Sequence, residues 1–344
     1  MHLSLGGDTF LERIGLAFGL VPAPLVFTTF GVGYGRSIVA ATRIGVFRAL
    51  GHDELSVEQI AEATSCSPAG MRALCAALVG FGLLDRRGGR YRNAPDARKY
   101  LLPDGKMPLE DVVLFLGECH SLVWNLEDDV RSGDIVRLHD REHPESFWRA
   151  YMGALSSFAK LAGPEIVRKI KAPGAKRLLD VGGGHGRYAA AMCRKVDGLV
   201  ADVFDLPPAC AQGRRIQEED GMADRVSFVE GDFRTDPWGT GYDLIFVFNV
   251  THNATADEVQ ALIHKAKAAL NVGGSLVIMD AVHAGEDGPL DANAGWNELF
   301  FFVISGAQAW PEDRIQGWMA DAGFERLKRK GLLAVPQFVL QGWT

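Results

Sequence analysis

The sequence predicts an α/β chain: a mostly parallel β-sheet with helices on both faces, preceded by a mostly helical region that ends in a winged helix-turn-helix. Two observations carry this. From Lys176 onward short apolar runs alternate with helical patterns, the spacing of β-α-β units whose strands run parallel. From Ser37 to Leu102 helical stripes instead follow one another and close on a hairpin. A length of 344 residues suits two domains. The expected division is residues 1–105 for the helical region and 106–344 for a helical linker plus the α/β domain.

The elements follow in order. Val39, Ala40, Ile44, Val46, Phe47 and Leu50 form one helical stripe. Ser56-Val57-Glu58-Gln59 opens a second helix as a capping box, in which the Ser and Gln side chains satisfy each other's backbone N–H groups. Ser67-Pro68 opens a third, since proline is preset for the first helical turn, and Met71, Leu74, Leu78 and Val79 face inward. Leu83 to Asp85, Gly88-Gly89 and Tyr91 read as strand, turn and strand. Residues 105–173 read as helical and aromatic-rich. The expected sheet strands are Arg177–Val181, Leu199–Asp205, Val226–Glu230, Leu244–Asn249, Ser275–Asp280 and Leu333–Gln341.

Composition excludes several classes. The net charge of -7 argues against a protein built to hold polyanions. The winged helix does carry ten Lys and Arg against six Asp and Glu over residues 36–102. Its third helix, however, begins Pro68-Ala69-Gly70-Met71-Arg72, and only Arg72 there suits contact with a base or phosphate. Nucleic acid is therefore not an expected partner, and a protein–protein role is. The five cysteines have no Cys-x-x-Cys spacing and read as small buried hydrophobes, with no metal site expected. No apolar run reaches the ~20 residues needed to span a bilayer. Asp8 and Glu12 replace the cationic start of a secretory leader, so the expected compartment is the cytoplasm.

The chemistry concentrates at strand ends. Asp180-Val181-Gly182-Gly183-Gly184-His185-Gly186 stands where an apolar strand meets the helix from Arg187, and glycines there let backbone approach a ligand closely. Nucleotide sites of several kinds share such a turn. Asp180, however, suits a ligand amine, and an acid there does not help a pyrophosphate at the helix N-terminus. Asp205, ending the next strand before Leu206-Pro207, suits ribose hydroxyls. Asp232 suits an adenine amino group, with Phe233 against the ring. Three acids in order, each matched to one part of one ligand, make a specific constellation.

With these motifs the chain resembles the class I methyltransferases, and more narrowly the small-molecule O-methyltransferases of plant phenolic and bacterial aromatic-polyketide metabolism. The likeness runs over residues 36–343 and includes the winged-helix start, the glycine turn, Asp205-Leu206-Pro207, Gly231-Asp232-Phe233, His252, Gly273-Gly274 and Ala322-Gly323-Phe324. It implies a Rossmann-like domain with a seven-stranded sheet and a homodimer formed through the N-terminal region. The implied cofactor is S-adenosylmethionine, held by Asp180, Gly182, Gly183, Gly184, Asp205, Leu206, Asp232, Phe233 and Asn249. His252 is the implied general base, with Asp280, twenty-eight residues later, orienting it. A neutral phenol is a poor nucleophile, and an imidazole titrates in the range suited to removing its proton. The implied acceptor wall is Trp124, Phe147, Trp148, Met152, Asn253, Trp296, Asn297, Phe300, Val303 and Ile304, fitting a flat apolar acceptor such as an aromatic or polyketide-like hydroxyl compound.

The chain departs from the family pattern near the base. Asn253-Ala254 stands where Asp-Trp is common, Phe248 where a lysine is frequent, and Gly306-Ala307-Gln308-Ala309 carries no second acid, a part Gln308 or Glu298 could take. Altered chemistry in the same fold, such as C-methylation, decarboxylation or hydroxylation, is the alternative. A DNA-binding regulator is more distant.

Overall fold

A computed structural model of the chain describes residues 6, 9–283, 291–333 and 335–344. Asp8, and residue 334 within the strand expected over 333–341, lie outside the described residues. The chain forms two compact units, residues 2–121 and 122–344.

In the first unit, helices Ala23–Ile44, Val46–Leu50, Val57–Ala63 and Pro68–Gly80 surround a small antiparallel sheet. Its strands are β1 (Leu55–Ser56), β2 (Leu84–Arg87) and β3 (Arg90–Asn93), in the order β1-β3-β2. The Ser56 capping box forms as expected: Ser56 Oγ accepts from the Gln59 N–H at 3.3 Å and Gln59 Oε1 from the Ser56 N–H at 2.9 Å. Phe47, Leu50, Ile60, Met71 and Leu78 fill the core. Arg72 pairs with Glu58, and Arg92 of the wing with Asp85. By contrast, the long helix Ala23–Ile44 buries only Val39, Ala41 and Thr42 within the chain. Phe10, Leu11, Phe18, Leu20 and Phe30 are exposed.

The second unit is built on a seven-stranded sheet. Its strands are β4 (Arg177–Val181), β5 (Val200–Asp205), β6 (Val226–Glu230), β7 (Tyr242–Phe248), β8 (Leu270–Ala281), β9 (Glu325–Gly331) and β10 (Gln337–Trp343), in the order β6-β5-β4-β7-β8-β10-β9. From β6 to β8 neighbours pair in parallel; β10 runs antiparallel between β8 and β9. Both faces are covered. Leu178, Leu244, Phe246 and Met279 pack on one side with Ile166 and Met192, while Leu179, Val181, Ile245 and Ile278 pack on the other with Ile263 and Met319. This double burial is why the central strands read as unbroken apolar runs.

Two differences from the sequence reading have physical causes. β9 was not among the expected strands, because Glu325-Arg326-Leu327-Lys328-Arg329-Lys330 at the sheet edge has no apolar run to reveal it. β8 begins at Leu270, earlier than Ser275, because Leu270 pairs with Tyr242 ahead of a register shift, after which regular pairing resumes at Ser275 with Leu244. Among the described residues no helix is long and apolar enough to cross a membrane.

Candidate active site

The strand order reverses between β5 and β7 on either side of β4, so the carboxyl ends of β4 and β7 border a crevice of the kind where ligands settle in parallel sheets. At the end of β4 the chain turns through Gly182 and Gly184 at φ +65° and +47°, conformations that favour glycine. A Cβ on Gly182 would meet Val250 Cγ2 at 2.7 Å, and one on Gly183 would meet the Asp180 carboxyl at 2.5 Å. The turn is thus bare backbone pressed against an acid. The helix Arg187–Lys195 follows, and His185 Nδ1 accepts from the Arg187 N–H at 3.0 Å in its first turn. Burial pushes the His185 imidazole down to about 3, which keeps it neutral for that bond.

Asp180 is fully buried, and neither carboxyl oxygen has a hydrogen-bond partner. The Ala189 N–H favours the ionised form but is outweighed. Burial first, and then the neighbouring Asp205 charge, push the group up to about 8. A buried acid without partners costs stability, so this one is poised to receive a cation or donor from outside the protein. Asp205 sits 3.7 Å from a Cβ built on Gly184 and accepts from the Gly184 N–H at 2.8 Å and the Leu206 N–H at 2.7 Å. Those two bonds use half of the carboxylate's accepting capacity and leave the remainder for a ligand. Burial raises Asp205 to about 6 against the pull of its two N–H donors.

Asp232 is held differently. Both its oxygens take hydrogen bonds from Arg234, whose guanidinium also reaches Asp140 at 2.6 Å. Burial would raise Asp232, but Arg234 outweighs it and leaves the carboxyl below its ordinary value. Phe233, half-buried, packs on the core beside it. Asn249, at the end of β7, lies in the left-handed region at φ +57°, which asparagine tolerates, and its Oδ1 accepts from Gln337. These residues fit an adenosyl ligand bearing an amine: an unpartnered buried acid, a backbone cradle that a methyl group would fill, and acids on successive strands.

His252 and Asp280 meet across neighbouring strands. Asp280 ends β8, and the short 3₁₀ turn Thr251–Asn253 follows β7. His252 Nδ1 lies 2.6 Å from Asp280 Oδ1, while Asp280 Oδ2 accepts from Thr251 Oγ1 at 2.5 Å and from the His252 N–H at 3.2 Å. The Ala281 N–H adds a fourth bond at 2.8 Å. Burial alone would raise Asp280, but His252 and these donors overcome it and hold the carboxyl below the ordinary range. The imidazole stacks on Phe301, ring centres 4.0 Å apart, so its plane is fixed, with Nδ1 on Asp280 and Nε2 at the opposite edge of the ring. Next to it Asn253 Oδ1 is buried without a partner.

The remaining acceptor-wall residues divide. Phe147, Trp148 and Met152, on helix Glu145–Lys169, are buried, and Met152 Sδ stands 2.9 Å from a Cβ built on Gly184. Val303 and Ile304 are buried on helix Ala292–Ser305; Asn297 and Phe300 on that helix are half-buried. Trp296, 45% exposed, stacks on Phe300, and Trp124 is 72% exposed. Of the two stand-ins for a second acid, Glu298 lies 3.8 Å from His283 and Gln308 is exposed. His139, Tyr151, Thr251 and Phe301 were not singled out from the sequence for this site. His139 and Tyr151 pair from another segment that no spacing marks, whereas Thr251 and Phe301 directly adjoin the expected residues His252 and Phe300. Among the described residues no cluster of three His, Cys, Asp or Glu side chains is arranged to hold a metal ion.

A mostly parallel sheet in this order, with a glycine turn and a buried acid at its reversal point, matches the α/β domain of S-adenosylmethionine-dependent methyltransferases. A family model for the O-methyltransferase domain matches residues 134–325, and one for the O-methyltransferase dimerisation domain matches residues 29–103. The chain belongs to the O-methyltransferase family, and its methyl donor is S-adenosylmethionine. It is similar to the 3-hydroxy-5-methyl-1-naphthoate 3-O-methyltransferase of Streptomyces sahachiroi, 26% identical over 89% of this chain and 90% of the relative. It is also similar to the L-tyrosine C(3)-methyltransferase of Streptomyces lavendulae, 26% identical over 78% of this chain and 77% of the relative. Among solved structures, human N-acetylserotonin methyltransferase in complex with SAM shares the fold with a TM-score of 0.80, 21% identity, and coverage of 99% of both chains.

Proposed function

We propose that this O-methyltransferase methylates a hydroxyl of an aromatic or polyketide-like small molecule, with His252 as general base. The observation that carries the reading is the His252–Asp280 pair. An imidazole whose Nδ1 is fixed on a buried carboxylate keeps Nε2 free to accept a proton from an acceptor hydroxyl. As the proton arrives, the adjacent Asp280 charge stabilises the imidazolium. Phe301 fixes the ring, and the apolar surface of Phe147, Trp148 and Ile304 favours a flat acceptor.

Asp180 would receive the amine of S-adenosylmethionine, Asp205 its ribose, and Asp232 with Phe233 its adenine, while Gly182 to Gly184 let the protein backbone approach it closely. When bound, that cofactor supplies an activated methyl group. The naphthoate substrate in the name of the Streptomyces sahachiroi relative supports an aromatic acceptor. The exposed apolar side chains of residues 10–30, together with the dimerisation-domain match, support a homodimer. A second reading, methylation at carbon, is favoured by one specific relative, the tyrosine C-methyltransferase.

Replacing His252 by Ala tests the assignment. Turnover of a phenolic acceptor is expected to fall on the order of 10²–10⁴-fold while cofactor affinity, read by calorimetry, stays within a factor of two or so. Undiminished turnover would remove His252 from the chemistry.

A further inference from the structure

The 3₁₀ turn Leu138–Asp140 is clamped from both sides. Arg137, just before it, meets both oxygens of Glu258 at 2.9 and 2.8 Å, in the first turn of the helix that follows the His252 loop. Asp140, ending it, takes two hydrogen bonds from Arg234 at 2.6 and 3.2 Å, the guanidinium that also holds Asp232. Leu138 is buried, and its carbonyl lies 2.8 Å from His143 Nε2. Every neighbour in the turn therefore has a structural partner. His139 is the side chain these clamps present.

His139 Nε2 lies 3.1 Å from the Tyr151 hydroxyl, and its ring packs on Tyr151 and Trp148 at 5.7 and 6.5 Å between centres. Nδ1 makes no hydrogen bond among the described residues. Burial, and after it the nearness of His252, push the imidazole down to about 4, so it is neutral at neutral pH. A neutral imidazole has one donor and one acceptor nitrogen, and the Tyr151 hydroxyl can serve either. The ring is thus fixed, uncharged, close to His252, and has one nitrogen left for a polar atom.

We propose that His139, fixed by Tyr151, is a specificity-determining residue that hydrogen-bonds, through Nδ1, a second oxygen on the acceptor beside the hydroxyl that His252 deprotonates. The favoured class is an aromatic compound with two neighbouring oxygen substituents, a vicinal diol or a hydroxyl beside a carbonyl. This rests on the reading of His252 as base of an aromatic acceptor site. His139 itself carries no proton away; it selects the acceptor and sets its orientation.

The test compares naphthalene-2,3-diol, which has the second oxygen, with 2-naphthol, which lacks it, using the full chain and saturating S-adenosylmethionine. The wild type is expected to show a KM for the diol about tenfold below that for 2-naphthol, the value of one good neutral hydrogen bond. His139→Phe collapses that ratio toward one, His139→Asn restores part of it, and Tyr151→Phe narrows it two- to threefold or so. Cofactor affinity checks that each variant is folded. Equal KM values in the wild type, or a ratio that survives in His139→Phe, overturns the proposal. His252→Ala separates the two readings: if it still turns over both probes, the base assignment fails while the wild-type ratio continues to decide His139. If the wild type turns over neither probe, the aromatic-acceptor reading falls and this proposal falls with it.

Discussion

Asp180 and Asp280 end two strands of the same sheet, both are buried, and their electrostatic states are opposite. Asp180 has no hydrogen-bond partner and is pushed up to about 8. Asp280 takes four hydrogen bonds, from His252 twice, Thr251 and Ala281, and is held below its ordinary value despite equal burial. Desolvation is common to both, so the difference lies in the partners. One acid is completed within the protein and lends its charge to a side chain. The other is left incomplete and suits a cation that arrives from outside.

Below the loss expected for His252→Ala, the largest effect on this contrast is Asp280→Asn. The amide keeps the shape but cannot stabilise an imidazolium, and it confuses the choice of ring tautomer. Turnover is expected to drop on the order of 10²-fold, with little change in cofactor affinity. Steady-state kinetics beside calorimetry checks this, and a matching loss of cofactor affinity would show that the two acids are not independent.

Asp180→Asn should act on the opposite side. A cationic amine requires the ionised acid, and in the free protein the group is mostly protonated below about 8. Cofactor affinity is therefore expected to rise by up to about tenfold per unit between pH 6 and 8, with proton release on binding. In Asp180→Asn the affinity falls roughly 10–100-fold and the pH dependence flattens. Calorimetry in two buffers of different ionisation enthalpy reads the released proton directly. The same shift has a stability consequence. The native carboxyl keeps its proton far above the ordinary 3.8, so the unliganded protein loses stability as pH rises from about 4 to about 8. That slope should disappear in Asp180→Asn, as followed by thermal unfolding without cofactor.

Gly183→Ala is the smallest of these changes. Its new Cβ would stand 2.5–2.9 Å from the Asp180 carboxyl atoms, in a backbone conformation open to any residue, so the acid must move. We expect about a tenfold loss of cofactor affinity, with turnover at saturating cofactor largely kept. An unchanged affinity would mean the acid has room to shift without consequence.

The site was unevenly legible. The glycine turn, the acids at the ends of β4, β5 and β6, and the pair His252 and Asp280 all stand at strand ends, and strand ends are visible wherever an apolar run stops. The expected strand Arg177–Val181 coincides with β4, and Val226–Glu230 with β6. The edge strand β9 escaped because its side chains are charged on both faces. Asp232 shows the limit of type alone: the sequence does not reveal that both its carboxyl oxygens already bond Arg234, which a ligand there would have to share.

The sequence by itself determined the local features: the capping box at Ser56, the sheet strands buried on both faces, the glycine turn and the order of acids along it. Periodicity, capping and turn geometry are set by residues within a few positions of one another, so they can be read in line. Only the tertiary structure decided which buried acid is partnered and which is not. It alone brought His139 toward His252, through Arg137 with Glu258, 121 positions apart, and Asp140 with Arg234, 94 apart. Partnership at those separations is a property of packing, and packing leaves no periodic trace in the chain.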